Sequence, residues 1–139
     1  MAMYIEKKND KINYLKGLIR LAKADGIIVD EEVEYFNIAA VGMKQDEDSI
    51  AKINECWNSS KKISVEFSTK ITAMFFIQEA IQLCEVDGSY DEAEKNEIRN
   101  LAEELGISEE KIVAIEKWVQ TGIVWRQQGE ALIKAFSED

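Results

Sequence analysis

The sequence predicts an all-α fold, and three observations lead there. Proline is absent from all 139 residues, so no pyrrolidine ring breaks a helix anywhere along the chain. Ala, Leu, Ile, Glu and Lys dominate, and apolar positions recur every three or four residues rather than every second one. The third observation is a repeat: Leu21–Glu34 reads LAKADGIIVDEEVE, and 62 residues later Leu83–Asn96 reads LCEVDGSYDEAEKN. Each copy sets an Asp-Gly turn between an apolar helix and an acidic helix start, so the expected architecture is a compact bundle containing two pseudo-symmetric helix-turn-helix repeats. The length suits one domain, residues 1–139, whose core needs neither disulfide nor structural metal.

About seven helices are expected. The first runs from about Asp10 to Ala24, where Ile12, Leu15, Ile19 and Ala22 keep helical spacing, and Asp25-Gly26 ends it because glycine suits the left-handed terminator. A second runs from about Asp30 to Val41, with Val33, Phe36 and Ala40 inward and Gly42 as its end. The third, about Asp46 to Asn58, presents Ile50, Ile53 and Trp57 on one stripe. The fourth, Ser64 to about Cys84, is apolar around much of its circumference and is expected to be the central, most buried helix. Its apolar run, Ile71 to Leu83, is interrupted by Gln78 and Glu79 and is too short to cross a bilayer. The fifth opens on Asp91-Glu92-Ala93-Glu94, a capping box, and closes at Leu105-Gly106. Ser108 caps a sixth through about Gln120, and a seventh reaches about Phe136. Within that last stretch Ile115, Trp118, Gly122, Trp125, Gly129, Leu132 and Phe136 alternate by three and four, the spacing of a helical seam. Two accounts stand: packing within the chain with a break at Gly122, or close approach of a second helix, giving a homodimer. Both expect Trp118 and Trp125 to be largely buried.

Charge narrows the partners. Residues 25–48 carry eight acids against one lysine, and residues 85–110 carry ten against two basic residues, within a chain of net charge −10. These stretches oppose phosphate, so nucleic acid is not an expected partner. The basic N-terminal run of Lys7, Lys8, Lys11, Lys16, Arg20 and Lys23 reads as a solvated helix face or as a pairing surface for acid. No apolar leader follows MAMYIEKKND, and Cys56 and Cys84 lack a CxxC spacing, so the expectation is a cytoplasmic protein with reduced thiols and no membrane insertion.

AKADG with Glu32, CEVDG with Glu94, and NLAEELGIS at 100–108 resemble the TerB-like family, which includes the bacterial tellurite-resistance protein TerB and the N-terminal domain of a membrane-anchored DnaJ-type co-chaperone. The resemblance covers roughly residues 10 to 120. It implies a bundle of about seven helices with pseudo-twofold halves, and acidic residues near the turns that hold a divalent cation. By motif position those are Asp25 and Glu32 in the first copy and Asp87 and Glu94 in the second. The chain departs from the pattern in having Val29 where a capping residue is expected.

Converging carboxylates about 6 Å apart repel by roughly 3 kcal/mol at an effective dielectric of about 20, which a hard cation relieves. With no histidine and no thiol cluster, the implied ion is calcium, magnesium or manganese, weakly held because the turns lack EF-hand spacing. The competing account is ordinary helix punctuation, since Glu94 completes a capping box, Glu32 suits the positive end of a helix and both aspartates suit turns. Without histidine, GxSxG, P-loop or dinucleotide signature, no enzyme is expected. The expected function is a bacterial stress-response interaction module, tellurite-resistance-like, whose acidic surface binds a cation, a basic protein partner, or both. The alternative is a co-chaperone-like adaptor that uses the Trp-rich C-terminal region.

Overall fold

The structure is a computed structural model. It describes residues 4–24, 30–43, 45–86 and 90–137, without the side chains of residues 31, 32, 35, 36, 39, 40 and 86. The described residues form six α-helices and no strand: α1 Lys8–Ala22, α2 Asp30–Gly42, α3 Glu47–Asn58, α4 Lys70–Val86, α5 Glu92–Glu104 and α6 Glu109–Ser137. The all-α expectation holds, with six helices where about seven were expected. The sixth and seventh are one: α6 runs 29 residues straight through Gly122.

Gly106 and Gly122 show why one glycine ends a helix and the other does not. Gly106 adopts φ +72°, its N–H donates to the Glu103 carbonyl (3.1 Å), and the Ile107 N–H reaches back to the Ala102 carbonyl (2.8 Å). This is a Schellman terminator, and burial of Ile107 in the core supplies its hydrophobic contact. No side chain lies within 4 Å of where a Cβ at Gly122 would stand. Nothing holds a turn there, so the helix continues at an intrinsic cost of about 1 kcal/mol.

The repeat is larger than the sequence suggested. Lys8, Asp30 and Glu47 open α1 to α3, and Lys70, Glu92 and Glu109 open α4 to α6, each pair 62 residues apart. Within each triple every helix packs on the other two, and α1 joins the triples through α4 and α5. The two Asp-Gly turns, at 25–26 and 87–88, lie outside the described residues. α6 outruns its counterpart α3, and the surplus is 121–137.

The core forms chiefly between α1 and α4. Leu15, Ile19, Phe76, Ile77, Ala80 and Ile81 are fully buried, joined by Ile98 and Leu101 of α5 and Ile112 of α6. The expected central place of α4 is therefore shared with α1, which touches four helices. Close approach of these two helices depends on Gly17, where a Cβ would stand 2.3 Å from Phe76 Cζ.

The expected start of the fourth helix at Ser64 is corrected to Lys70. Residues 62–67 belong to no helix, and Ile63 and Val65 are buried between exposed neighbours, the two-residue period of extended chain. Asp10, itself buried, accepts from the backbone N–H of Ser68 (2.9 Å) and from its hydroxyl (2.6 Å), and Asn13 accepts from Glu66 N–H (3.1 Å). Thr69 then receives the Thr72 N–H, and α4 begins. Ile71, in the first turn of α4, is exposed although the helix as a whole is expected to be the most buried. α3 begins as read, with Asp46 accepting from Ser49 N–H at 2.7 Å.

Candidate functional site

The four carboxylates implied by the resemblance are only partly within reach of description. Asp25 and Asp87 lie outside the described residues, as does the side chain of Glu32. Glu32 and Glu94 each occupy the third helical position, of α2 and α5. Glu94 has the local role read from the sequence. Its carboxylate accepts the Asp91 N–H (3.2 Å), and the Asp91 carboxylate accepts the Glu94 N–H (2.9 Å), a complete capping box. Among the described residues no three or more Cys, Asp or Glu side chains are grouped to hold a metal. Asp91→Ala is expected to cost about 1 kcal/mol in urea unfolding, with Glu94→Gln costing less because an amide still reaches back to the cap.

Two arginines organise the acid instead. Arg20 had been read with a solvated or pairing basic run, yet only 8 % of it is exposed. Its five N–H donors are all engaged: Nη1 and Nη2 grip Glu104 (3.0 and 2.8 Å), Nε and Nη2 meet Glu97, and Nη1 also donates to the Ile63 carbonyl (3.1 Å). Burial pulls the guanidinium pKa down, but hydrogen bonds and charge from Glu104 and Glu97 more than offset it. The Arg20 guanidinium in turn holds the Glu104 carboxyl below its usual range.

Arg99 of α5 clamps Glu116 of α6 with two bonds (2.7 and 2.8 Å) and reaches Glu109. The Tyr90 hydroxyl donates to Glu116 at 2.6 Å, and burial beside that carboxylate pushes the phenol well up. The Arg99 bonds keep Glu116 low. The Arg20 cluster was not legible in the sequence, because Arg20 meets its carboxylates 77 and 84 residues away. Two lysines of the same run also find partners: Lys8 meets Asp46 at 2.6 Å on the surface, and Lys23 donates to the carbonyls of Cys56 and Ser59. Both arginine forks are satisfied by protein groups and supply structure rather than a reactive centre.

The third feature is apolar. Ile112 and Val119 are the buried residues of α6, so the helix is anchored to α4 and α5 by its first half. Beyond it, Trp125, Ile133 and Phe136 are 73, 70 and 73 % exposed, with Trp118, Val124 and Leu132 about half exposed. Trp118 and Trp125, expected to be buried, are thus open in the single chain. Packing within the chain does not account for them. A groove of about 590 Å³ lies between α4 and α6, lined by Gln82, Glu85, Trp118, Gly122, Trp125 and Glu130 among others. Neither Gly122 nor Gly129 has any atom within 4 Å of a built Cβ. Gly122→Ala and Gly129→Ala should therefore each raise the stability of the isolated chain by about 0.5–1 kcal/mol, since an exposed helix interior favours alanine; thermal unfolding in dilute solution checks this.

Among the described residues no helix is long and apolar enough to cross a membrane. Comparison of the chain with family models, with curated proteins and with solved structures finds no match.

Proposed function

We propose that this chain is a non-catalytic, TerB-like interaction module of a bacterial stress response, and that its working surface is the apolar face of α6 from Trp118 onward. The observation that carries this reading is a folded chain leaving two tryptophans, a phenylalanine, a leucine and an isoleucine open along one helix. Monomeric proteins seldom leave a contiguous patch above about 300–600 Å² without a use for it. The TerB-like part rests on AKADG, CEVDG and NLAEELGIS, together with the all-helical architecture and the common 62-residue offset of the helix starts. The test is capture of binding partners by the full chain and by a Trp125→Glu/Phe136→Glu variant. Both substituted positions are exposed, so the fold should survive. Loss of capture by that variant alone supports the α6 surface; loss only in an Asp25→Asn/Asp87→Asn variant returns the function to the acidic turns.

A cation at those turns is the second reading, favoured by the equal spacing of the two turns and of the helices that follow them. Asp25, Glu32, Asp87 and Glu94 would hold calcium, magnesium or manganese through oxygen alone. If they converge, divalent ions raise the melting temperature beyond the effect of sodium at matched ionic strength, by mass action on the folded state. Asp87→Asn then removes most of the gain and stabilises the metal-free protein by relieving repulsion. Absence of calcium heat in calorimetry, with a destabilised Asp87→Asn variant, would reduce these residues to helix punctuation.

A further inference from the structure

The partner that the α6 face fits is a second copy of the same face. Resting on the interaction-module reading above, we infer that two chains associate through residues 118–136 of α6, packed antiparallel about a twofold axis level with Gln127.

Area comes first. An aromatic side chain covers about 150–250 Å² when enclosed, so Trp118, Trp125 and Phe136 at their exposures leave about 400 Å² open per chain. Leu132 and Ile133 bring the patch to about 600 Å², the upper end for a monomer. Two such patches bury about 1,200 Å², which clears the roughly 1,000 Å² that a specific interface needs.

Shape selects the direction. Along the seam the large side chains Trp118, Trp125 and Leu132 alternate with Gly122 and Gly129, and Phe136 closes the series. In the antiparallel pair Trp125 stands level with Gly129 of the second copy, and Leu132 with Gly122. Each large side chain thus meets the open notch above a glycine. Trp118 stands level with Phe136 of the second copy, at the groove between α4 and α6. A parallel pair instead sets tryptophan on tryptophan and glycine on glycine, crowding one layer and emptying the next.

Charge agrees. Residues 121–137 contain only Arg126, Glu130 and Lys134 among charged groups, in a chain of net charge −10. Two extensions, each carrying a net charge of only +1, therefore meet with little repulsion, while antiparallel packing keeps the acidic bodies at opposite ends. It also brings Lys134 level with Gln120, whose amide donates to Glu85, so that a lysine arrives at the level of a carboxylate.

Sedimentation equilibrium of the full chain between about 1 and 200 μM is expected to follow a monomer–dimer curve. Gly122→Leu and Gly129→Leu, which meet nothing within their own chain, should each raise the dissociation constant at least about tenfold with unchanged circular dichroism. Direction is read by spin labels at Ser137→Cys in a Cys56→Ser background. Antiparallel packing places the two labels about 30 Å apart, from ten residues on each side of the axis at 1.5 Å rise, against under about 15 Å in a parallel pair. A chain that stays monomeric throughout overturns the inference, as does a short label distance, or a dimer indifferent to both leucine substitutions. A monomer whose α6 face is instead covered by lipid vesicles overturns it too. If a monomeric chain still loses partner capture on Trp125→Glu/Phe136→Glu, the interaction-module reading stands while the second copy falls. If capture is unaffected, both fall.

Discussion

Arg20→Met is expected to cost about 3–5 kcal/mol, a large part of the roughly 5–15 kcal/mol that holds a domain together. The substitution removes five donors at once and leaves Glu97 and Glu104, each about four-fifths buried, with only the exposed Lys62 ammonium, 3.6 Å from Glu104, as a remaining cation. The melting temperature should fall by about 10–20 °C, and urea unfolding followed by circular dichroism gives the free energy. Adding Glu97→Gln and Glu104→Gln should return part of the loss, because the damage is mostly stranded charge rather than missing attraction. A Met variant as stable as the parent would show that solvent reaches the cluster.

The two arginine clusters set a direction for acid. The folded-state pKa values of Glu104 and Glu116 lie below the ordinary 4.5. Their contribution is fully present above that value and is lost as pH falls through the depressed ones. Glu79, pushed up by burial, works the other way and offsets part of it. Below about pH 4 the parent should lose stability more steeply than Arg20→Met, in which Glu104 has lost its principal cation and keeps only the exposed Lys62.

Gly17→Ala is the second large effect, with a sign opposite to helix propensity. Alanine in a helix interior normally gains up to about 1 kcal/mol over glycine. Here its methyl would stand 2.3 and 2.7 Å from Phe76 Cζ and Cε1, and Phe76 is fully buried against Tyr14 and Phe67. Its ring has no free space to turn into, so a net loss of about 2–3 kcal/mol is expected. Phe76→Leu on top of Gly17→Ala should cost less than Phe76→Leu alone. A double-mutant cycle measures that coupling, and additive costs would disprove the clash.

How much the sequence revealed depended on the range of the interaction concerned. The Asp91 capping box and the Gly106 terminator are settled within a few residues, and each was legible. The start of α4 was not, because Asp10, 58 residues away, captures Ser68 and keeps the chain extended. Gly122 was misread for the same reason: a glycine ends a helix only when the next residues find a site in the core, as Ile107 does. Arg20 looked like one of six surface cations, and nothing nearby marked it as buried. The repeat was legible as turns, since Asp-Gly is conspicuous. Its third helix was hidden, since α3 and the start of α6 share position but few residues. The surface of α6 was visible as a seam, though whether it was covered depended on neighbours that a single chain does not provide.

The strip that α1 holds in place is governed by length more than by composition. Asp10, Asn13 and Arg20 of α1 bind Ser68, Glu66 and Ile63 in reverse order. Ten helical residues advance about 15 Å, and five extended residues about 16 Å. The two rulers agree over this one span. Replacing Ser64 should pass almost unnoticed, because its side chain faces water. Inserting or deleting one residue between 63 and 68 would leave α1 unable to hold both ends at once, and would turn either Ile63 or Val65 outward. Its outward letters can be rewritten, but the segment cannot be lengthened or shortened.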